Sequence, residues 1–390
     1  MVISTEESTL RVFYAVPDTA NQGWLPKSSI WRINLYLPLL DLGCDVVTFD
    51  FDYAVFNRNL DPEDPRQREF IARNRPRFGE ELLRQVRAAH AQKPVDLFFS
   101  YFYSAYVEPD VIREIKAMGI VTVNWYCNAS YQFHLVEEIA PAYDHCLVPE
   151  KFRLDDYRRI GAHPIYCQEA ANPNIYKPYD LPQEYDVTFV GQKYGTRPMY
   201  ICALLDAGID ARVWGPLWQQ VGAREPLWRQ GARRVKAMLL GREIPHRYEV
   251  PLERCGPPLS DDELVRMYSR SKISLGFSAV ASLPNDGSPA IKQVRLRDFE
   301  APMSGAFYMA EYFEELAEFF EPDQEIVCFM DREELVAKAR YYLAHDDARE
   351  RIRQAGLRRA RNEHTWHKRF QMIFREIGLS EHVRNRGHCL

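Results

Sequence analysis

The sequence predicts an α/β fold built as two doubly wound open sheets in tandem. Three observations carry this. Short apolar runs alternate with longer amphipathic stretches along almost the whole chain, the pattern of βαβ units and parallel sheets. The alternation halts at 170–184, AANPNIYKPYDLPQE, where three prolines and few branched apolar residues mark a linker. It then restarts, and 390 residues suffice for two or three domains with sizeable cores.

In the first half the predicted strands are Leu10–Val16, Asp45–Phe51, Val95–Tyr101, Val121–Tyr126, His145–Val148 and Ile165–Glu169. Predicted helices lie between them at Ser29–Leu42, Gly79–Gln92, Pro109–Met118 and Glu150–Ile160. Residues Asp52–Phe78 are rich in Arg, Pro and Asp and lack periodicity, which predicts a long excursion with one short helix. In the second half the strands are Tyr185–Val190, Ala211–Trp214, Lys272–Ser278, Ala306–Ala310 and Glu325–Phe329. The helices are Arg197–Ala207, Ser260–Ser269, Gln293–Met303 and Glu333–Ala344, with two closing helices near Asp347–Asn362 and Thr365–Ile377. Ser260 is the expected N-cap of its helix, with Asp261, Asp262 and Glu263 in the first turn where acids suit the helix dipole, and Asp331 caps a later one. The expected domains are 1–178 and 179–363, followed by a closing segment, 364–390.

Composition excludes several classes. Hydrophobic residues at 46% and charged residues at 27% rule out wholesale disorder. A formal charge of −5 argues against a surface that binds nucleic acid throughout, while leaving room for a local basic patch. The N-terminus has no signal-peptide pattern, and the longest apolar runs fall far short of a membrane span. Eight cysteines form no CxxC pair and several sit in apolar strands, so buried reduced thiols and a cytoplasmic protein are expected. His364 and His367 are three apart without a neighbouring thiol and are read as surface or capping residues; no metal site is expected.

Tandem doubly wound domains place ligands between them, beyond the carboxyl ends of their strands. Four loops leave strands at such ends. The first is Tyr185–Arg197, YDVTFVGQKYGTR, in which Gly191, Lys193, Gly195 and Arg197 lead into a helix start. Glycine lets backbone approach a ligand and the cations favour an anion, so the loop suits a phosphate or an ordinary strand–turn–helix. The second, 278–300, carries Ser288, Lys292, Arg295, Arg297 and Glu300. Cations at a helix start oppose the dipole unless they face an anionic ligand; a solvated basic helix is the alternative. The third, Pro17–Trp24, offers Asp18 as a base or a turn residue; the fourth, Asn124–His134, offers His134 as a proton acceptor or a packed histidine. Outside these loops, Arg224–Arg247 holds seven cations against two acids and suits a polyanion contact or a solvated insertion. The DxD at Asp50–Asp52 is read as a strand-end turn.

The second half resembles the CgeB-like glycosyltransferases, relatives of the group 1 enzymes with the two-domain GT-B fold. The resemblance runs through YDVTFVGQKYGTR (185–197), SKISLGFS (271–278), RLRDFEAPMSGAFYMAEYFEELAEFFEPDQEIVCF (295–329), DREELVAKARYYLAHDDARERIRQAG (331–356) and HTWHKRF (364–370). It implies a nucleotide-diphosphate-sugar site in the second domain, with the base open and UDP the first to consider, and a closing segment 364–390 that crosses back onto the first domain. Glu300 matches the glutamate that bonds the ribose hydroxyls in related enzymes, and Arg197 and Arg297 would neutralise the diphosphate. The donor-binding set expected is Gly191, Lys193, Arg197, Gly215, Ser288, Lys292, Arg297 and Glu300, with Asp18 and His134 as candidate bases. Lys292 stands where group 1 enzymes carry a second glutamate that contacts the donor sugar. No metal or other cofactor is expected, because cations and helix N-termini would stabilise the leaving diphosphate. The acceptor stays open among polysaccharide, protein, small molecule and modified nucleic acid. Two other readings are a nucleotide-sugar epimerase and a nucleotide-sugar-binding or assembly protein without turnover.

Overall fold

The computed structural model of the protein describes residues 9–17, 28–56, 61–220, 248–280 and 290–380. The first six strands are β1 (Arg11–Ala15), β2 (Asp45–Thr48), β3 (Leu97–Ser100), β4 (Val121–Trp125), β5 (His145–Val148) and β6 (Pro164–Tyr166). They form one parallel sheet in the order β2-β1-β3-β4-β5-β6. The next six are β7 (Tyr185–Val190), β8 (Ala211–Trp214), β9 (Cys255–Gly256), β10 (Ser271–Gly276), β11 (Tyr308–Glu311) and β12 (Val327–Phe329). They form a second parallel sheet in the order β12-β11-β10-β7-β8-β9. The central strands read as near-continuous apolar runs because helices cover both faces. Strand order reverses between β1 and β3 in one sheet and between β7 and β10 in the other, so each sheet opens a crevice at its carboxyl edge.

Several helix boundaries follow from their caps. Ser260 accepts from the Glu263 amide while the Glu263 carboxylate accepts from the Ser260 amide, a complete capping box for Asp261–Ser269. Asp331 and Thr365 accept from the amides of Glu334 and Lys368 in the same way. The closing helix Trp366–Glu376 buries Trp366, Phe370, Ile373 and Phe374 in the core of the first sheet. Each such side chain contributes about 2 kcal/mol of burial, so the end of the chain ties the two halves together.

The structure departs from the sequence-based expectations at identifiable places. The span read as an excursion contains the first half of a 28-residue helix, Pro65–Gln92. Its start signal is local: Asp64 accepts from the Arg66 amide and Pro65 occupies the first helical position. Its first half shows little periodicity because Ile71 and Phe78 are its only fully buried apolar residues before Leu82. The first predicted helix contains a π-helical turn, Arg32–Tyr36, ahead of Leu37–Asp41. Pro38 has no N–H to give the preceding turn, and the Leu37 amide instead reaches back to the Arg32 carbonyl. The helix expected from Gln293 begins at Leu296, because the Asp298 carboxylate accepts from the Arg295 amide 2.7 Å away and sets Arg295 outside the first turn.

His364 is not at the surface. It is 4% exposed among Phe299, Phe319 and Phe320, and its Nε2 donates to the Phe319 carbonyl at 2.8 Å. Burial pulls its pKa down to about 3, so it stays neutral. His367 is partly exposed and sits 2.9 Å from the Asp41 carboxylate. The seven cysteines among the described residues are free thiols, all buried except half-buried Cys202. No helix among the described residues is long and apolar enough to cross a membrane.

Candidate active site

A cavity of about 510 Å³ lies where the carboxyl edges of the two sheets face each other. Its second-half wall is built on glycine. Gly191 follows β7 and Gly215 follows β8, and the two backbones touch, the Gly191 amide donating to the Trp214 carbonyl at 2.7 Å; the Trp218 side chain holds them there, its Nε1 donating to the Gly191 carbonyl at 2.6 Å. Gly215 has φ +138°, and a Cβ there would lie closer than 3.0 Å to the Gly191 carbonyl. Only glycine permits this approach, which leaves backbone rather than side chain facing the cavity floor.

The loop after Gly191 is held by Arg197. Its guanidinium lies 3.6 Å over the Tyr194 ring and donates to the Gln192 carbonyl at 2.8 Å and the Tyr194 hydroxyl at 2.5 Å. Burial, with Arg297 and Arg295 nearby, pulls its pKa down to about 9. Arg197 therefore shapes the loop while adding positive potential to the cavity.

The entrance to helix Leu296–Met303 supplies the charged wall. Arg295, Arg297 and Glu300 all line the cavity. Glu300 accepts from the Tyr268 hydroxyl at 2.8 Å and lies 4.0 Å from Arg297 Nε. Burial pushes the Glu300 carboxyl up, against the pull of Arg297 and Tyr268. Burial likewise opposes the charge of Arg297, but Tyr268 and Glu300 more than restore it. The Nε atoms of Arg197, Arg295 and Arg297 are all buried without a hydrogen-bond partner. Three guanidinium groups crowded on one wall give the cavity a positive potential that suits an anion.

The opposite wall comes from the first half and is mostly aromatic. Trp31 packs 5.2 Å from Tyr101, and Tyr131 donates to Asn128 Oδ1 at 3.2 Å. Glu169 completes this wall, and Asp261 closes the rim by accepting from Ser28 Oγ at 2.6 Å and the Ser29 amide at 2.8 Å. Behind it, Glu150 accepts from the Ser130 amide at 3.1 Å and burial pushes its pKa up to about 7. A carboxyl with an ordinary value of 4.5 thus holds its proton more tightly in the folded state. Stability is therefore lost as pH rises from about 4.5 to about 7. Glu150→Gln should shrink that loss by roughly 2 kcal/mol, read as urea midpoints at pH 5 and pH 8.

The expected site residues divide. Gly191, Arg197, Gly215, Arg297 and Glu300 line the cavity. Lys193 does not, and its ammonium lies 5.9 Å over the Trp218 ring. Lys292 is also outside the lining: it precedes the helix, pairs with Glu311 at 3.1 Å and donates to the Tyr312 carbonyl at 3.0 Å. His134 lies outside the lining too, 3.5 Å from Asp61. With Glu63 these two form the only cluster of three metal-type ligands among the described residues, away from the cavity lining. The DxD pair, Asp50 and Asp52, is exposed beyond β2. Asp18, Ser288, the segment 224–247 and Cys389 lie outside the described residues. The sequence reading does not assign Glu169, Asp261 or Tyr268 to the site and leaves Arg295 out of the donor set. For Glu169 the available signal was an acid placed just past a strand.

Two parallel Rossmann-like sheets facing one cleft define the GT-B class of fold. Residues 197–375 match the family model described as glycosyl transferase-like. Across nearly the whole chain the fold is similar to sucrose-phosphate synthase from Thermosynechococcus elongatus, with TM-score 0.58, 15% identity, and 95% and 99% of the two chains covered. It is also similar to a glycosyltransferase from Rickettsia africae, with TM-score 0.55, 12% identity, and 97% and 100% covered. A third similar structure is Anabaena HepE in complex with UDP and glucose, with TM-score 0.53, 12% identity, and 95% and 99% covered. No curated protein matches the sequence.

Proposed function

We propose that the chain is a cytoplasmic, CgeB-like glycosyltransferase that moves a sugar from a nucleotide-diphosphate sugar to an acceptor without a metal ion. The observation that carries this reading is the grouping of Arg197, Arg295, Arg297 and Glu300 beside the Gly191–Gly215 floor in a cleft between two sheets. Glu300 accepts both ribose hydroxyls, since a carboxylate can take two such bonds. Arg295 and Arg297, on the wall of the cavity, meet the diphosphate. As the anomeric C–O bond breaks, negative charge grows on the leaving diphosphate, and these fixed cations stabilise it. Lys292, neutralised by Glu311, stands behind this arrangement rather than on the sugar.

The aromatic wall of Trp31, Tyr101 and Tyr131 receives the acceptor, whose class is open among polysaccharide, protein, small molecule and modified nucleic acid. UDP-glucose is the first donor to try, because HepE on the same fold is a complex with UDP and glucose. The test is UDP release from UDP-glucose by the whole protein in EDTA. Release that EDTA leaves unchanged is expected; release that disappears with EDTA and returns with Mg²⁺ would refute metal independence.

A further inference from the structure

Of the two candidate bases, Asp18 lies outside the described residues and His134 lies outside the cavity lining. We propose that Glu169 takes the proton from the acceptor hydroxyl. This rests on the donor reading above. Glu169 follows β6 at the carboxyl edge of the first sheet, and it lines the cavity that Arg297 and Glu300 line from the other side. Its neighbours on that wall are Tyr101, Cys127, Asn128 and Tyr131, the surface facing the donor site.

The backbone around Glu169 is pinned from three directions. The Glu169 amide donates to Gln168 Oε1 at 2.9 Å, Gln168 Nε2 donates to the Pro149 carbonyl at 3.0 Å, and Arg369 Nε donates to the Gln168 carbonyl at 3.0 Å. Two residues on, the Ala171 amide donates to the His364 carbonyl at 3.1 Å. The side chain is only 7% exposed. Among the described residues no group donates a hydrogen bond to its carboxylate. A rigidly placed carboxylate with free lone pairs at a reaction cleft is the geometry of a general base.

The surroundings tune it. Burial pushes the Glu169 carboxyl up to about 8. The charged or titratable groups facing it are Arg295 across the cavity, Glu150 beyond β5, Glu300 and Asp298 on helix Leu296–Met303, and Cys127 beyond β4. Of these only Arg295 favours the ionised form. A base poised near the working pH takes a proton more readily than an ordinary carboxylate. In the step, the acceptor oxygen bonds to the anomeric carbon and its O–H proton passes to Glu169. The anomeric C–O bond to the diphosphate breaks, and the nucleoside diphosphate leaves with the electron pair. The proton then returns to solvent.

The experiment uses UDP-glucose with water as acceptor, measuring UDP release by the whole protein from pH 5.5 to 9.5. Wild-type kcat/KM should rise about tenfold per pH unit below pH 8 and flatten above it, as one ionisation requires. Glu169→Gln should lose about 10²–10⁴-fold at pH 8 and lose that limb, with Glu169→Asp between the two. UDP-induced thermal stabilisation, recorded on the same samples, should match wild type in Glu169→Gln. If UDP stabilises both proteins but the limb survives in Glu169→Gln, or its rate stays within threefold, Glu169 is not the base. If none of UDP, GDP and ADP stabilises either protein, the donor reading itself fails and takes this assignment with it.

Discussion

Glu300→Gln is expected to weaken UDP binding by about 10²–10³-fold. The substitution keeps the side-chain volume but removes the charge from a 4% exposed position. It halves the acceptor capacity offered to two ribose hydroxyls, and hydrogen bonds to a charged group are worth about 1.5–3 kcal/mol each. It also leaves Arg297, 4.0 Å away, as a buried cation without its nearest acid. A combined loss of about 3–4 kcal/mol corresponds to that range of affinity. Calorimetric titration of UDP reads it directly. An affinity within threefold of wild type would remove Glu300 from the nucleotide site.

Gly215→Ala is expected to have the largest effect on folding. The methyl group would collide with the Gly191 carbonyl, and that oxygen is already held by Trp218 at 2.6 Å, so neither partner can retreat cheaply. The φ of +138° adds strain for any L side chain. A loss of about 3 kcal/mol or more is expected, a large share of the roughly 5–15 kcal/mol that holds a domain folded. Gly195→Ala is the matched comparison: φ is +56° but open space surrounds the position, so strain alone acts and about 1 kcal/mol is expected. Urea denaturation of both variants separates collision from strain. Equal, small losses would mean the Gly191–Gly215 contact can open, and the rigid cavity floor would go with it.

Much of this architecture was legible because it is local. Strands such as Tyr185–Val190, Ala211–Trp214 and His145–Val148 are bounded by their own apolar runs, and Ser260 and Asp331 announce their helices through their own side chains. The start at Asp64–Pro65 was equally local and was overlooked because Arg-rich turns mask the buried stripe. The site was less legible, for a different reason. Arg297 and Glu300 come to light through motif resemblance, but the fate of Lys292 depends on Glu311 at the end of another strand. The Arg197 guanidinium is turned inward by Tyr194 and Gln192, which spacing cannot reveal. Glu169 becomes chemical only when its sheet edge meets Arg295 across the cleft, a meeting between distant segments that no local pattern encodes.

A nucleoside-diphosphate site in the cleft between the sheets should show itself as ligand-dependent stability. Thermal unfolding of the wild-type protein in EDTA with UDP, GDP and ADP, each in excess, tests it most directly. A ligand at 100 times its dissociation constant adds about 2.7 kcal/mol of stability. One of the three, UDP first, should raise the midpoint clearly in wild type and far less in Glu300→Gln. A folded wild-type protein whose midpoint none of them moves would contradict it.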